Sequence, residues 1–324
     1  MPRILLKLCL WIVIGLNTAT AAETTLKVTV FPGVQNLAIF AAQEKGFFAT
    51  RGLKVDLAFT PNSIQLRAGL AKGTFDIAHT AVDNAVAMVE LDKADVAVLM
   101  GGDSSLNGLY VQPGIAAIAE LRGKTVAVDA PNTAYALQLY KMLQMHGLQR
   151  NDYSVKVVGG VQLRLEAMRN DKSVAATMLN LPYSLLADRE GMRNLGMAVT
   201  ALGAYQGTAA FALRAWANAN QDLLVRYLQG YIEGLRWAKN KANKTEAVAL
   251  LVKRLKMAPE VAAQSYDILA DPNGGFTTDA RLDREGFENV LKLRAEIEGQ
   301  WGGKPPPADR YLEQSYYTRA LSGL

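Results

Sequence analysis

Histidine and cysteine chemistry is scarce in this 324-residue chain, which holds two histidines and one cysteine. His79 lies in the stretch FDIAHTAVDN, residues 75–84, where an apolar run ends and Thr80, Asp83 and Asn84 follow. Asp83 is one helical turn beyond His79, so it could orient the imidazole or receive a cationic ligand group. An acidic residue in a first helical turn is also what the helix dipole favours, and a histidine at a strand end also fits a core position. No Ser/His/Asp spacing marks a catalytic set, and without H-E-x-x-H or a thiol pair there is no metal signature. We therefore expect binding chemistry, with no catalytic residue, metal or cofactor. Asn132, Thr133 and Ala134 open a helix after the strand expected at 125–128, and N–H groups at such a start can hold a carboxylate, sulfonate or phosphate. Ser63 is placed alike in the first half, where it also suits a plain N-cap. Phe31 and Tyr135 offer aromatic faces, Gln35, Asn36 and Asn180 offer amides, and Gln206 lies on a later stretch, 205–208, that approaches the same place.

The elements that must position these groups can be read from the pattern. Arg3 and Lys7 precede the apolar run 8–16, and the small residues 18–22 follow, the order of a cleavable signal peptide ending near Ala22. Its run is about half of the ~20 residues a membrane span needs. Cys9 leaves with it, so disulfides and thiolate chemistry are excluded from the mature chain. Removal of Arg3 and Lys7 leaves 33 basic against 30 acidic residues, a net charge near +3 with no basic block, which argues against nucleic acid. A hydrophobic content of 50% and a charged content of 20% predict a packed globular protein. Strands expected at 26–30, 53–59 and 75–78 alternate with helices at 36–48, 63–72 and 82–91, implying a parallel sheet between helices. The pattern then repeats. Gln65-Leu66-Arg67 matches Gln162-Leu163-Arg164, and residues 77–80 (Ile-Ala-His-Thr) match 174–177 (Val-Ala-Ala-Thr) at the same offset of 97. Offsets of 98 to 100 relate Val28, Pro32 and Val55 to Val126, Pro131 and Val155. We expect two related α/β lobes joined by two crossing strands. The boundaries would be a leader at 1–22, lobe 1 at 23–108, lobe 2 at 109–200, and at 201–324 a return to lobe 1 with a helical C-terminal part.

Several stretches together carry a family resemblance. They are Val30-Phe-Pro-Gly33, Ala41-Ala-Gln-Glu-Lys-Gly-Phe-Phe48 with Gly52-Leu-Lys-Val-Asp56, Leu70-Ala-Lys-Gly-Thr-Phe-Asp-Ile-Ala78, and Leu121-Arg-Gly-Lys-Thr-Val-Ala-Val128. The chain resembles the periplasmic solute-binding proteins of ABC importers, in the branch that takes nitrate, sulfonates, taurine and the thiamine pyrimidine precursor. The resemblance implies a two-lobed type II periplasmic binding protein fold, with two parallel-rich sheets flanked by helices and a two-strand hinge. It implies a monomeric, non-enzymatic protein that closes on a small anionic organic solute and hands it to an inner-membrane permease. Two other readings stay open, a periplasmic sensor or adaptor, and an enzyme similar to the fungal pyrimidine-synthesis relatives of the branch. In open parallel sheets, ligand groups gather beyond the carboxyl ends of the strands. On that rule the expected ligand contacts are Phe31, Gln35, Asn36, Ser63, His79, Thr80, Asp83, Asn132, Thr133, Ala134, Tyr135, Asn180 and Gln206.

Overall fold

The computed structural model describes residues 23–104, 106–271 and 275–324. The expected signal peptide and Cys9 lie outside the described residues. Ten strands form two five-stranded sheets: β1 (Thr24–Val30), β2 (Leu53–Phe59), β3 (Ile77–Ala81), β4 (Val96–Met100), β5 (Gly108–Val111), β6 (Thr125–Val128), β7 (Ser154–Val157), β8 (Val174–Leu179), β9 (Arg193–Met197) and β10 (Thr208–Leu213). The first sheet has the order β2-β1-β3-β10-β4 and the second β7-β6-β8-β5-β9. Shifting the label of each first-sheet strand β1–β4 by five gives its counterpart in the second. The repeat seen in the sequence is thus a repeat of topology. In each sheet the antiparallel strand comes from the far side of the chain: β10 pairs β3 and β4, and β5 pairs β8 and β9. This exchange produces two connections between the sheets, residues 101–107 and 198–207.

The connections are bonded to each other. Gly207 N–H donates to Asp103 O at 2.9 Å and Ala198 N–H to Asn107 O at 2.8 Å. Gln206 fastens this hinge to the C-terminal helices, because its amide donates to Asp103 O and Thr208 O while its oxygen accepts from Asp283 N–H.

Helices cover both sheets. α1 (Leu37–Glu44), α2 (Ser63–Ala71) and α3 (Asp83–Glu90) belong to the first, and α4 (Ala134–Met145), α5 (Val161–Asn170) and α6 (Tyr183–Arg189) to the second. The helical C-terminal part includes Gln221–Lys239, which lies on α1 so closely that a Cβ at Gly234 would come 2.2 Å from Ala38 O. A glycine is required there for the backbones to meet. The apolar core of the first sheet includes Leu26, Val28, Leu37, Phe40, Ile77 and Tyr231. A second cluster joins residues of both halves, among them Ala78, Leu109, Val126, Leu137 and Phe287.

Two local expectations shift. The strand expected at 75–78 runs Ile77–Ala81, and the helix expected from 36 starts as a 3-10 turn at Val34–Asn36. The first shift moves His79 from the strand's end into its interior, opposite Ala210 of β10.

Candidate functional site

The loops that leave the carboxyl ends of the strands in both sheets converge on a narrow cleft with two adjoining chambers. Their empty volumes, counting the mouth, are about 470 and 460 Å³. Gln35, Ala81, Ala134, Tyr135, Asn180 and Thr208 are common to both. The outer walls are apolar in the first chamber (Val34, Leu106, Leu181, Leu269) and polar in the second, where Ser63, Thr80, Asn84, Asp129 and Arg164 meet.

Each polar group is placed by its element. Ser63 opens α2 after the N-cap Asn62, whose side-chain oxygen accepts from Gln65 N–H at 2.8 Å. Thr133 is the N-cap residue of α4, its hydroxyl turned back to donate to Ala130 O at 3.0 Å. Asn180 follows β8, and its amide donates to the Tyr135 hydroxyl at 3.0 Å. Burial pushes the Tyr135 phenol above its ordinary range, so it stays neutral as a wall of the cleft.

Arg164 is the one cationic side chain among the described residues lining either chamber. It is 1% exposed, and its guanidinium donates to Thr177 Oγ1, Gly159 O and Met178 O at 3.1, 2.8 and 3.1 Å. It lies 5.1 Å from the centre of the Tyr135 ring, within cation–π range. Burial lowers its pKa, against which the negative charge of Asp129 works. Asp129 in turn accepts from Ser63 N–H at 3.2 and 3.3 Å across the cleft, so a carboxylate of the second half rests on a helix start of the first. Beside it Gly160 N–H donates to Pro61 O at 2.8 Å, another bond between halves. A Cβ on Gly160 would stand 3.1 Å from that oxygen and 3.4 Å from Phe31, so the halves meet here because a glycine lets them.

Eight of the thirteen expected contacts line the chambers: Phe31, Gln35, Ser63, Thr80, Thr133, Ala134, Tyr135 and Asn180. The structure places the other five elsewhere. His79 is 5% exposed and its ring faces Tyr231 at 4.4 Å between centroids, away from the cleft. Side chains alternate along a strand. Ile77, His79 and Ala81 therefore share one face of β3 and Ala78 and Thr80 the other, and it is Thr80 and Ala81, at the strand's carboxyl end, that line the cleft. Neither ring nitrogen of His79 has a hydrogen-bond partner, and burial pulls its pKa down to about 3. Asp83 forms a buried ion pair with Arg294 at 2.6 Å, in which Arg294 also donates to Asn132 O at 3.1 Å. Asp83 and Asn132 are thus engaged behind the cleft. The Asn36 amide donates to Phe31 O and Gly33 O and shapes the loop from within. Gln206 holds the hinge.

The expected set lacked Asp103, Asn84, Asp129, Arg164 and Thr208. Arg164 was visible as the last residue of the repeated Gln-Leu-Arg, and Asp129 as the residue directly after a strand. Among the described residues no group of three or more histidine, cysteine or acidic side chains could hold a metal ion.

With this geometry in view, the chain can be set beside known proteins. Residues 34–245 match the family model described as NMT1/THI5 like. The chain belongs to that family. Among curated proteins nothing matches the sequence. The periplasmic nitrate-binding protein NrtA from Synechocystis PCC 6803 is 17% identical with a TM-score of 0.77, covering 93% of this chain and 89% of its own. The alkanesulfonate-binding protein SsuA from Xanthomonas axonopodis pv. citri, bound to MOPS, is 16% identical with a TM-score of 0.72, over 90% of this chain and 97% of its own. The desulfurization enzyme DSZB is 14% identical with a TM-score of 0.63, over 93% and 99%. The fold is that of the periplasmic binding proteins, as the resemblance implied.

Proposed function

We propose that this chain is the solute-binding component of an ABC importer, exported by a cleaved leader, acting as a monomer in the periplasm and delivering its solute to an inner-membrane permease. The observation that carries this is the cleft itself. It is built from the strand ends of both mirrored sheets, and those sheets are joined by two connections that can flex together as a hinge. On this reading lobe 1 is 23–108, lobe 2 is 109–200 and the return is 201–324. The eight lining residues named above, with Arg164, touch the solute.

The mechanism is population shift. A solute contacts both lobes only in the closed form, so its differential affinity raises the closed fraction that the permease recognises. The fold alone does not decide against catalysis, since an enzyme shares it. Binding is favoured by the likeness to NrtA and SsuA, which are binding proteins. For the anionic solute expected from the sequence, Arg164 is the group available to receive the charge, and its surroundings point to the different solute class argued below.

The test is a thermal-shift screen of the chain from near Ala22, against sulfonates, carboxylates, carboxamides, pyrimidines and inorganic anions, with small-angle scattering on each hit. A solute at about 100 times its Kd adds about 2.7 kcal/mol and should compact the protein. A well-folded sample that no class stabilises, or hits that leave the radius of gyration unchanged, would remove the proposal.

A further inference from the structure

We propose that Asp129 sets the charge class of the solute: its carboxylate takes the anion position at the start of α2 and answers Arg164, so the cleft admits uncharged, amide-like solutes and turns away simple anions. The proposal rests on the cleft being the solute site.

A helix start attracts anions because its first N–H groups are unpaired and its dipole is positive there. In α2, a helix of nine residues, that attraction is already met from within the protein. Both oxygens of Asp129 stand within hydrogen-bond distance of Ser63 N–H, and Asp129 is 4% exposed. An entering sulfonate or carboxylate would have to displace a carboxylate that arrives with the other half of the protein, or stand beside it in a site with little water to screen the repulsion.

The second possible anion anchor is also committed. Three of the five N–H groups of Arg164 donate to groups of its own half, fixing its orientation, and Asp129 is the acidic side chain whose field answers its charge. In the adjoining chamber Asp103 adds a second carboxylate, its oxygens accepting from Thr208 N–H and Oγ1–H at 3.2 and 2.7 Å. Two carboxylates against one guanidinium thus line the described cleft. By that count the lining is net negative, which disfavours a bare anion.

Among the described lining residues the buried polar atoms without partners are uncharged, two amide oxygens in the second chamber and the Tyr205 hydroxyl in the first. Oδ1 of Asn84, a residue 2% exposed, and Oδ1 of Asn180 are buried, unpaired and on residues that line the second chamber. Both open amide atoms are acceptors, so the complementary solute is an uncharged one that brings N–H donors, such as a carboxamide, sulfonamide or urea. Phe31, Tyr135 and Val161 enclose its apolar part.

The experiment compares ethanesulfonate with ethanesulfonamide, at ionic strength matched with sodium chloride, on the wild type and on Asp129→Asn. Asparagine keeps an oxygen for Ser63 N–H and loses only the charge; Asp129→Ser serves if that variant does not fold. Calorimetry should show the wild type binding ethanesulfonamide at least about tenfold more tightly than ethanesulfonate, and Asp129→Asn gaining about tenfold or more in ethanesulfonate affinity; a wild type without that preference overturns the proposal. Adding Arg164→Gln to Asp129→Asn should abolish the gain, locating it in the cleft. Wild-type protein that binds ethanesulfonate as tightly as Asp129→Asn, or a variant that gains nothing, overturns the proposal. Either result leaves the importer reading in place, because that reading fails only if no solute compacts the protein.

Discussion

His79 supplies a pH test of the fold. Its imidazole is buried, unbonded at both nitrogens and held neutral, with its pKa pulled from 6.5 to about 3. In the unfolded chain the same ring takes up a proton below about pH 6.5. Between the two values the unfolded state therefore binds more protons, and stability falls as the pH falls. The loss starts near pH 6.5 and ends near pH 3, where the folded form would protonate as well. Integrated from pH 7 to pH 4.5, the difference amounts to roughly 2–3 kcal/mol. At the entropy of unfolding for a chain of this size, that is about 4 °C in Tm.

Exposed carboxylates titrate in the same range, so the informative quantity is the difference between the wild type and His79→Leu. Leucine has similar volume, can rest on Tyr231 and carries no proton. It shifts the baseline by a packing term that does not depend on pH. The assay is thermal unfolding followed by circular dichroism at half-unit steps of pH. The wild type should lose about 4 °C more than His79→Leu over the interval. Parallel curves would refute the reasoning, since they would mean that the imidazole is not kept neutral by burial.

Three further outcomes follow from other contacts. Arg294→Met leaves Asp83 buried without its cation and the Asn132 carbonyl without that donor, which should cost about 3–5 kcal/mol in urea unfolding; a cost below about 1 kcal/mol contradicts the buried pair. Gly234→Ala forces a methyl against the Ala38 carbonyl and should destabilise by about 1–3 kcal/mol, read as a lower urea midpoint with unchanged slope. Gly160→Val crowds Pro61 and Phe31 only when the halves meet, so it should weaken binding of a screened solute by about tenfold and raise the radius of gyration; an affinity equal to wild type would sink the role given to this contact.

Much of the architecture was legible because it is periodic. Alternating strands and helices specify a layered α/β fold, and the matched positions from Val28 to Thr80 and from Val126 to Thr177 lie on equivalent strands and helices of the two sheets, apart from Pro32 and Pro131 in the loops that follow β1 and β6. The rule that ligands gather at strand ends led to eight residues that do surround the cleft. What the sequence could not supply was side-chain direction and long-range partnership. A two-residue shift in β3 placed His79 within the strand, short of the carboxyl end where Thr80 and Ala81 line the cleft. Asp83 has nothing nearby in the chain to show that Arg294, 211 residues on, takes up its charge. Asp129 looks like any loop aspartate until the other half brings Ser63 against it, and Arg164 looks like a solvated helix residue until α5 is seen packed into the cleft. The elements, their repeat and the end of the sheets where a ligand belongs could be read along the chain, because local periodicity and strand polarity encode these. Which charge meets which partner was settled by the packed fold, because the Asp83–Arg294 pair and the Asp129–Ser63 contact join residues that the chain does not place near one another.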